Sequence, residues 1–593
     1  MMAPLSRQRG ATLAAPAGPV GEGEAGFRRW LRFPAVQGGL ALAAYLLIWL
    51  LTSARLLVQH LSHAQLDQAS MDPNFYVWCL RWWPYAVVHG LNPLYTHQIG
   101  APAGQSLAWV TTIPPLALLA APITLAAGPV VAFNLLSAIA PAVSAWAAFV
   151  LCRRLTGRFW AALVGGAVFG FSAFEMNHSA AGQLNLTYSL LLPILAYLVV
   201  VWWQGSISGR AFVILAALIM ATQFYLFLET FADLTAFLVV ALGAGLLLGG
   251  RDSRPVIARL ARNLGLAYAA AIVLALPYLA YALSTRPPKL SAATGLDVAS
   301  LVVPRPERTY GIAWLAHAAR GPIEVSAAGY IGVPLLVLAI LLAVTCWSSR
   351  LVRFLTCMLV FVIVAAFGPV LYFEGGRVAT LPWARLWQLP ILRNAYPSRL
   401  MVFAFLILAV ATALFLAGPA RRLWAKWPLA LVVLAFIALD TPTISVNART
   451  SVPAFISSGH YRRDLTRGEI VVVVSRIGNA GMLWQAESGF YVRLAGGYIN
   501  QAITHRSDLP LLVQSLAHAT PHSVRGFEAY IRKERIGAIL LDAGHEPQWV
   551  GIFWRVGLVG HRIGHVIVYP TNGCRSCRIL DWKQLRVRGT HTV

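Results

Sequence analysis

Gln65–Tyr95 reads QLDQASMDPNFYVWCLRWWPYAVVHGLNPLY, and the meaning of this acid-headed aromatic stretch decides the fold. Asp72–Pro73 is a helix start. An aspartate accepts the orphan amide hydrogens of a first turn, and proline suits the first helical position because no N–H is needed there. The helix is expected to run toward Gly90. Its aromatics, Phe75, Tyr76, Trp78, Trp82, Trp83 and Tyr85, are of the kind that settle at the headgroup level of a bilayer. An aspartate at a helix N-terminus meets the positive end of the dipole and stays ionised, so Asp72 could act as a general base or bind a metal. The same residue could equally serve only as a cap.

The flanks say which environment surrounds this helix. Of 593 residues, 58% are hydrophobic and only 12% charged, against about a quarter charged in an ordinary globular domain. That excludes a string of water-soluble domains. Apolar stretches long enough to span a bilayer occur near 37–55, 130–151, 159–176, 184–203, 211–229, 230–249, 264–284, 329–347, 354–373, 398–418 and 428–445. The expected fold is an α-helical polytopic membrane protein with about eleven transmembrane helices and a C-terminal soluble α/β domain. The run Ile113–Gly128 has sixteen residues and opens with Pro114–Pro115, so by length it could span or lie along the interface; counting it as a span would put the later basic loops outside, so it reads as a re-entrant or interfacial helix.

Charge orients the chain. With residues 1–35 as a cytoplasmic tail and the first helix as a retained anchor, eighteen basic residues fall on one side: Arg7, Arg9, Arg28, Arg29 and Arg32, then Arg153, Arg154, Arg158, Arg210, Arg251, Arg254, Arg259, Arg262, Arg350, Arg353, Arg421, Arg422 and Lys426. This distribution turns the net charge of +25 largely into a topology signal, and no nucleic-acid partner is expected. Thirteen acids precede residue 447, and ten of them, including Asp67, Asp72, Glu229, Asp297 and Glu324, fall on the opposite, external side. Acids do not set topology, so their segregation is an independent pointer to an external site.

The membrane domain is read as 36–445, with a long first external loop over 56–129, and 446–593 as a periplasmic α/β domain in a bacterial inner membrane. In that last part Glu469–Ser475, Ile536–Asp542 and Gly564–Tyr569 read as strands and Ser523–Lys533 as an amphipathic helix. The six cysteines suggest no disulfide framework, and a single Cys574–Cys577 pair is too little for a zinc site. Met482–Tyr498, MLWQAESGFYVRLAGGY, stands out without an evident role.

Several external features add chemistry to Asp72. His178 and Gln183 share a short loop between two spans, where a lone histidine is often just a satisfied polar residue. Glu229 sits at a tight hairpin, where uncompensated charge near lipid would be costly, which points to a polar cavity. Asp297 and Glu324 lie in the loop 285–328. Arg393 and Arg399 open the tenth span beside Arg377, and could grip a phosphate bidentately or simply anchor at headgroups. A carboxylate base and phosphate-binding arginines at an outer leaflet suit a lipid-linked phosphate substrate attacked by an acceptor hydroxyl.

This layout resembles the GT-C superfamily of integral-membrane glycosyltransferases: one helix, a long first external loop with an acid and surface helices, a proline-rich interfacial helix at Thr112–Gly128, then a multi-helix bundle. The resemblance implies an inverting transfer of one sugar from a polyprenyl-phosphate donor to an extracytoplasmic glycan, lipid or protein acceptor. It also implies a catalytic first-loop acid, matched best by Asp72 and next by Asp67. Asp297, Glu229, His178, Glu324 and Gln183 become acceptor-side or secondary candidates, and Arg393, Arg399 and Arg377 donor-phosphate ligands. No adjacent acidic pair occurs in the first loop, and a divalent metal is left open. No WWDYG-type signature occurs after residue 446, which disfavours en bloc glycan transfer to asparagine. The rival readings are a lipid-linked-glycan flippase or transporter, and an inactive GT-C scaffold in a polysaccharide assembly complex; the absence of an internal repeat weighs against a transporter.

Overall fold

The computed structural model describes residues 33–62, 72–285, 295–303, 327–388, 395–418, 423–440, 452–475, 479–497, 521–544, 547–555 and 557–571. Asp67, Glu324, Arg393 and the Cys574–Cys577 pair lie outside these residues.

Among the described residues seven helices are long and apolar enough to cross a membrane: Pro34–Gln59, Pro129–Thr156, Leu184–Trp203, Gly209–Leu226, Leu228–Leu248, Arg251–Leu283 and Pro397–Ala417. Phe159–Gly170 and Ala173–Ala180, bent by 45° at their junction, make an eighth if taken as one span. Of the three remaining apolar stretches, the described parts lie mostly on the helices Val333–Thr345, Arg350–Ala366 and Leu423–Asp440, although the end of 354–373 forms the strand Val370–Phe373 instead. The chain is a multi-pass helical membrane protein with a sheet-containing C-terminal region. The Pro114–Pro115 run forms two short helices, Pro114–Leu119 and Ala121–Ala127, each about 10 Å long and therefore unable to cross a bilayer alone.

Pro129–Thr156 and Pro397–Ala417 form the centre of the bundle, buried on most sides. Phe159–Gly170 reaches both through its glycines. A Cβ on Gly165 would stand 2.8 Å from the Ala409 carbonyl oxygen, and one on Gly166 would stand 2.6 Å from that of Ala145. With little hydrophobic drive between helices in lipid, such backbone contact is what packing relies on. Leu228–Leu248, by contrast, buries only Thr230 and Leu234 and leaves Val239 and Leu247 outward, as a lipid-facing helix should.

The first-loop helix spans Asp72–Val88, and twelve of its seventeen residues are buried. This corrects the expectation that its aromatics sit among headgroups: Trp78 and Trp82 are at most 1% exposed and Phe75, Tyr76 and Trp83 are also buried. They belong to a core shared with the C-terminal module, in which Phe455, Leu483, Trp484 and Phe490 pack with them. An aromatic face suits a headgroup layer and a protein cover alike, so composition alone does not separate them.

That module is a five-stranded sheet in the order Arg493–Leu494, Ile470–Val474, Ile536–Asp542, Val566–Pro570, His561–Ile563. The first three strands run parallel, and Val566–Pro570 is antiparallel to both of its neighbours. The first loop adds to its edge: Leu494 N donates to Gln98 O at 2.8 Å, Ala101 N to Leu494 O at 2.9 Å and Gly100 N to Gly496 O at 3.1 Å. The unassigned Met482–Tyr498 segment makes the clamp. Gln485, wholly buried, accepts from the Trp78 indole at 2.8 Å and donates to Gln98 O and Val492 O at 2.7 and 2.8 Å. Phe490 packs against the rings of Trp78, Trp82 and Tyr85. The helix that begins with Asp72 is thus held by protein on both sides.

Candidate active site

Asp72 opens its helix half-buried, facing a short loop of the membrane bundle. Ala173–Ala180 precedes that loop and is capped by Ser172, whose Oγ accepts from Glu175 N at 3.3 Å. The loop then turns at Gly182, where φ is +66° and an added Cβ would lie 2.6 Å from Pro73 Cγ. Only glycine permits both the left-handed backbone and this approach to the helix start. Beyond it the chain is tied to Pro129–Thr156, with Ser144 Oγ donating to Thr187 O at 3.2 Å and the Tyr188 hydroxyl to Leu136 O at 2.9 Å.

The approach joins Asp72 to His178 and Gln183, which the sequence places in a loop of their own between two spans. Gln183 Nε2 donates to Asp72 Oδ2 at 2.6 Å, and His178 Nδ1 lies 2.6 Å from Gln183 Oε1. A carboxylate only accepts, so the amide presents its NH2 to Asp72 and its carbonyl to the imidazole, which places the histidine proton on Nδ1. One turn along the helix the Tyr76 hydroxyl donates to Asn185 Oδ1 at 2.7 Å. Residues four apart on a helix share a face, so Asp72 and Tyr76 meet the two alternate loop residues Gln183 and Asn185.

A second pairing brings together Glu229 and Arg399. Glu229 stands in the first turn of Leu228–Leu248, and Arg399 in the tight turn Pro397–Leu400 that opens the central span. Arg399 Nη1 donates to Glu229 Oε2, and Tyr396 N donates to Glu229 Oε1 at 2.6 Å. The guanidinium carbon lies 4.9 Å from the Phe227 ring centroid and 4.5 Å from that of Tyr396. Asp72 and Tyr76 are close enough to act on the charge of Arg399. The base candidate and the phosphate-binding candidate therefore share one electrostatic neighbourhood, although they arise more than three hundred residues apart.

Asp297 has a different task. Buried at 3% exposure, it accepts from three backbone amides, Ala299 N at 2.8 Å, Glu374 N at 3.1 Å and Gly375 N at 2.7 Å. It thereby caps a short helix and holds the turn of the hairpin Val370–Phe373 and Gly376–Thr380. Arg377 lies on that hairpin, exposed, and donates to Thr380 Oγ1 at 2.7 Å. The hydrogen bonds described join neither Asp297 nor Arg377 to the Asp72 chain. Sequence reasoning missed Tyr76 as a polar partner, Asn185, and the fully buried Glu175, whose Oε1 accepts from Ser189 Oγ. Glu175 carried a signal, being an acid inside an apolar run. Among the described residues no three His, Cys, Asp or Glu side chains gather as a metal site.

A membrane bundle joined to a first-loop helix headed by an acid, with a C-terminal α/β module, is a fold this chain shares with solved glycosyltransferase structures. In particular, the chain is similar to arabinofuranosyltransferase AftD from Mycobacteria, at 15% identity and a TM-score of 0.54 over 92% of this chain and 40% of that one. It is also similar to the Archaeoglobus fulgidus oligosaccharyltransferase in complex with Zn and sulfate, at 11% identity and a TM-score of 0.50 over 89% and 73%. ArnT from Cupriavidus metallidurans, bound to undecaprenyl phosphate, aligns at 11% identity and a TM-score of 0.49 over 89% of this chain and 97% of that one. This chain spans two-fifths of the length of AftD. No protein-family profile and no curated protein sequence matches it. At these identities the likeness is one of fold.

Proposed function

We propose that the protein is an inverting glycosyltransferase that moves one sugar from a polyprenyl-phosphate donor to a glycan, lipid or protein acceptor on the periplasmic face of a bacterial inner membrane. The observation that carries this reading is the hydrogen bond from Gln183 Nε2 of the bundle to Asp72 at the head of a buried first-loop helix, in a bundle where Glu229 holds Arg399. Asp72 takes the proton of an acceptor hydroxyl as its oxygen bonds to the anomeric carbon, and the bond from that carbon to the phosphate oxygen breaks. Arg399, with Arg393, stabilises the negative charge on the departing polyprenyl phosphate. Glu229 holds the guanidinium in place, and Arg377, exposed on its hairpin, is a further candidate for the donor phosphate.

The test is turnover in nanodiscs with a panel of undecaprenyl-phosphate monosaccharides, followed by release of undecaprenyl phosphate. Asp72→Asn should lower kcat by about 100-fold or more, the usual contribution of a general base. Full activity in a normally folded Asp72→Asn protein would reject the assignment.

A further inference from the structure

We infer that His178 and Gln183 are positioning residues for the carboxylate of Asp72, not groups that contact the acceptor; this rests on Asp72 being the base. Three observations lead there. The hydrogen bonds run in one direction, from His178 Nδ1–H to Gln183 Oε1 and from Gln183 Nε2–H to Asp72 Oδ2, each at 2.6 Å. A primary amide next to a carboxylate could turn either way if its oxygen were unconstrained; the imidazole N–H fixes which end faces Asp72. The loop is also built for close approach, since Gly182 admits no Cβ against Pro73. The imidazole is itself placed by the Phe174 ring, one turn earlier on its helix, at a centroid separation of 4.5 Å and an interplanar angle of 69°.

The consequence is electrostatic as well as geometric. An aspartate that serves only as a helix cap needs no donor from another element, whereas a base needs one ionised carboxylate in one orientation. Gln183 supplies an N–H to the charged form of Asp72 and so favours ionisation, and His178 polarises that amide through its carbonyl oxygen. The two residues act in series. Removing the first link should therefore erase the effect of removing the second.

The experiment reads Asp72 directly in the full-length protein in nanodiscs, by labelling with a water-soluble carbodiimide and glycine ethyl ester near pH 6 and peptide mass spectrometry. Carbodiimides attack the protonated acid, so labelling tracks loss of ionisation. Gln183→Leu should raise Asp72 labelling about 10-fold, the size expected for losing one hydrogen bond to a charged group. Gln183→Met keeps the side-chain length and serves if leucine disturbs folding. His178→Leu should raise labelling several-fold by the weaker, indirect route. His178→Asn, whose Nδ2–H can occupy the place of Nδ1–H, should return labelling toward wild type, and the double variant should label no more than Gln183→Leu alone. In a transfer assay the same variants should lower kcat with little change in donor KM. Wild-type labelling in both Gln183 variants, or multiplying effects in the double variant, would overturn the inference. Because labelling needs no donor, wild-type protein that labels as expected yet transfers no sugar from any donor would instead reject the glycosyltransferase reading.

Discussion

The Trp78 indole donates to Gln485 Oε1 at 2.8 Å, joining the first-loop helix to the C-terminal module across 407 positions of sequence. Both groups are fully buried, so neither has water as a substitute partner. The bond fixes Trp78 six residues beyond Asp72 on the same helix, about 9 Å along its axis, and the C-terminal module thereby helps to set where the base candidate stands.

Gln485→Leu should consequently destabilise the protein. It removes three hydrogen bonds and orphans a buried indole N–H, at a cost of about 2–4 kcal/mol from the usual penalty for unsatisfied buried groups. Thermal unfolding in detergent should shift down by several degrees, and hydrogen exchange should rise in both Asp72–Val88 and Ala480–Glu487. An unchanged melting curve would mean that the clamp is redundant.

Gly182→Ala tests the loop approach. The substituted residue must hold a φ near +66° and find room against Pro73, so the loop should retreat from the helix start and weaken both the Gln183–Asp72 and Asn185–Tyr76 bonds. Hydrogen exchange should increase at residues 181–188, and transfer activity should fall at least about 10-fold, a loss of roughly 1.4 kcal/mol in transition-state stabilisation. Wild-type exchange at these residues would contradict the steric argument.

Asp297→Ala should open the hairpin locally. Three amides lose their acceptor, each worth about 1–3 kcal/mol when buried and unpaired. Two of them belong to the hairpin turn and regain water if it lifts away. Trypsin should then cut at Arg377 faster than in wild type, while the global melting temperature changes little. A global collapse, or no gain in cleavage, would rule out this local role.

Glu229→Gln removes the negative partner of Arg399 but keeps an acceptor for Tyr396 N. If Arg399 binds the donor phosphate, affinity for undecaprenyl phosphate in nanodiscs should increase by about 1.5- to 5-fold, the modest range of a partly exposed ion pair. Weaker or unchanged binding would remove Arg399 from the donor site.

Glu487 gives a pH test. Burial pushes its carboxyl above the ordinary range, against the opposing pull of the Val130 N–H bond and of Arg81. The folded state therefore holds the proton more tightly than the unfolded chain. The associated stability is fully present below the ordinary glutamate value of about 4.3 and is lost as pH rises through the raised folded value. Glu487→Gln keeps an acceptor for Val130 N and cannot titrate, so its melting temperature relative to wild type should climb as pH rises above the ordinary glutamate value of about 4.3. A difference that is flat with pH would refute the assignment.

Much of the scaffold was legible in the chain. The helix start at Asp72–Pro73 and the strands at Ile470–Val474 and Ile536–Asp542 follow from capping chemistry and from short β-branched runs. His178 and Gln183 were visible as polar residues beside apolar spans, but their union with Asp72 was not. Asp297 read as chemistry because an acid in an external loop looks the same whether it faces a substrate or three backbone amides.

By itself the sequence determined the elements of this protein: apolar stretches that become mostly helices, an acid heading an aromatic helix, and a strand-containing C-terminal region. These rest on local energies, namely hydrophobic period, capping and the cost of unpaired backbone in lipid. Only the tertiary structure decided the partners. Asp72 received Gln183 across 111 positions, Arg399 received Glu229 across 170 and Trp78 received Gln485 across 407. A side chain's hydrogen-bond partner depends on which backbones packing brings within about 3 Å, and nothing in the local pattern around either residue encodes that distance.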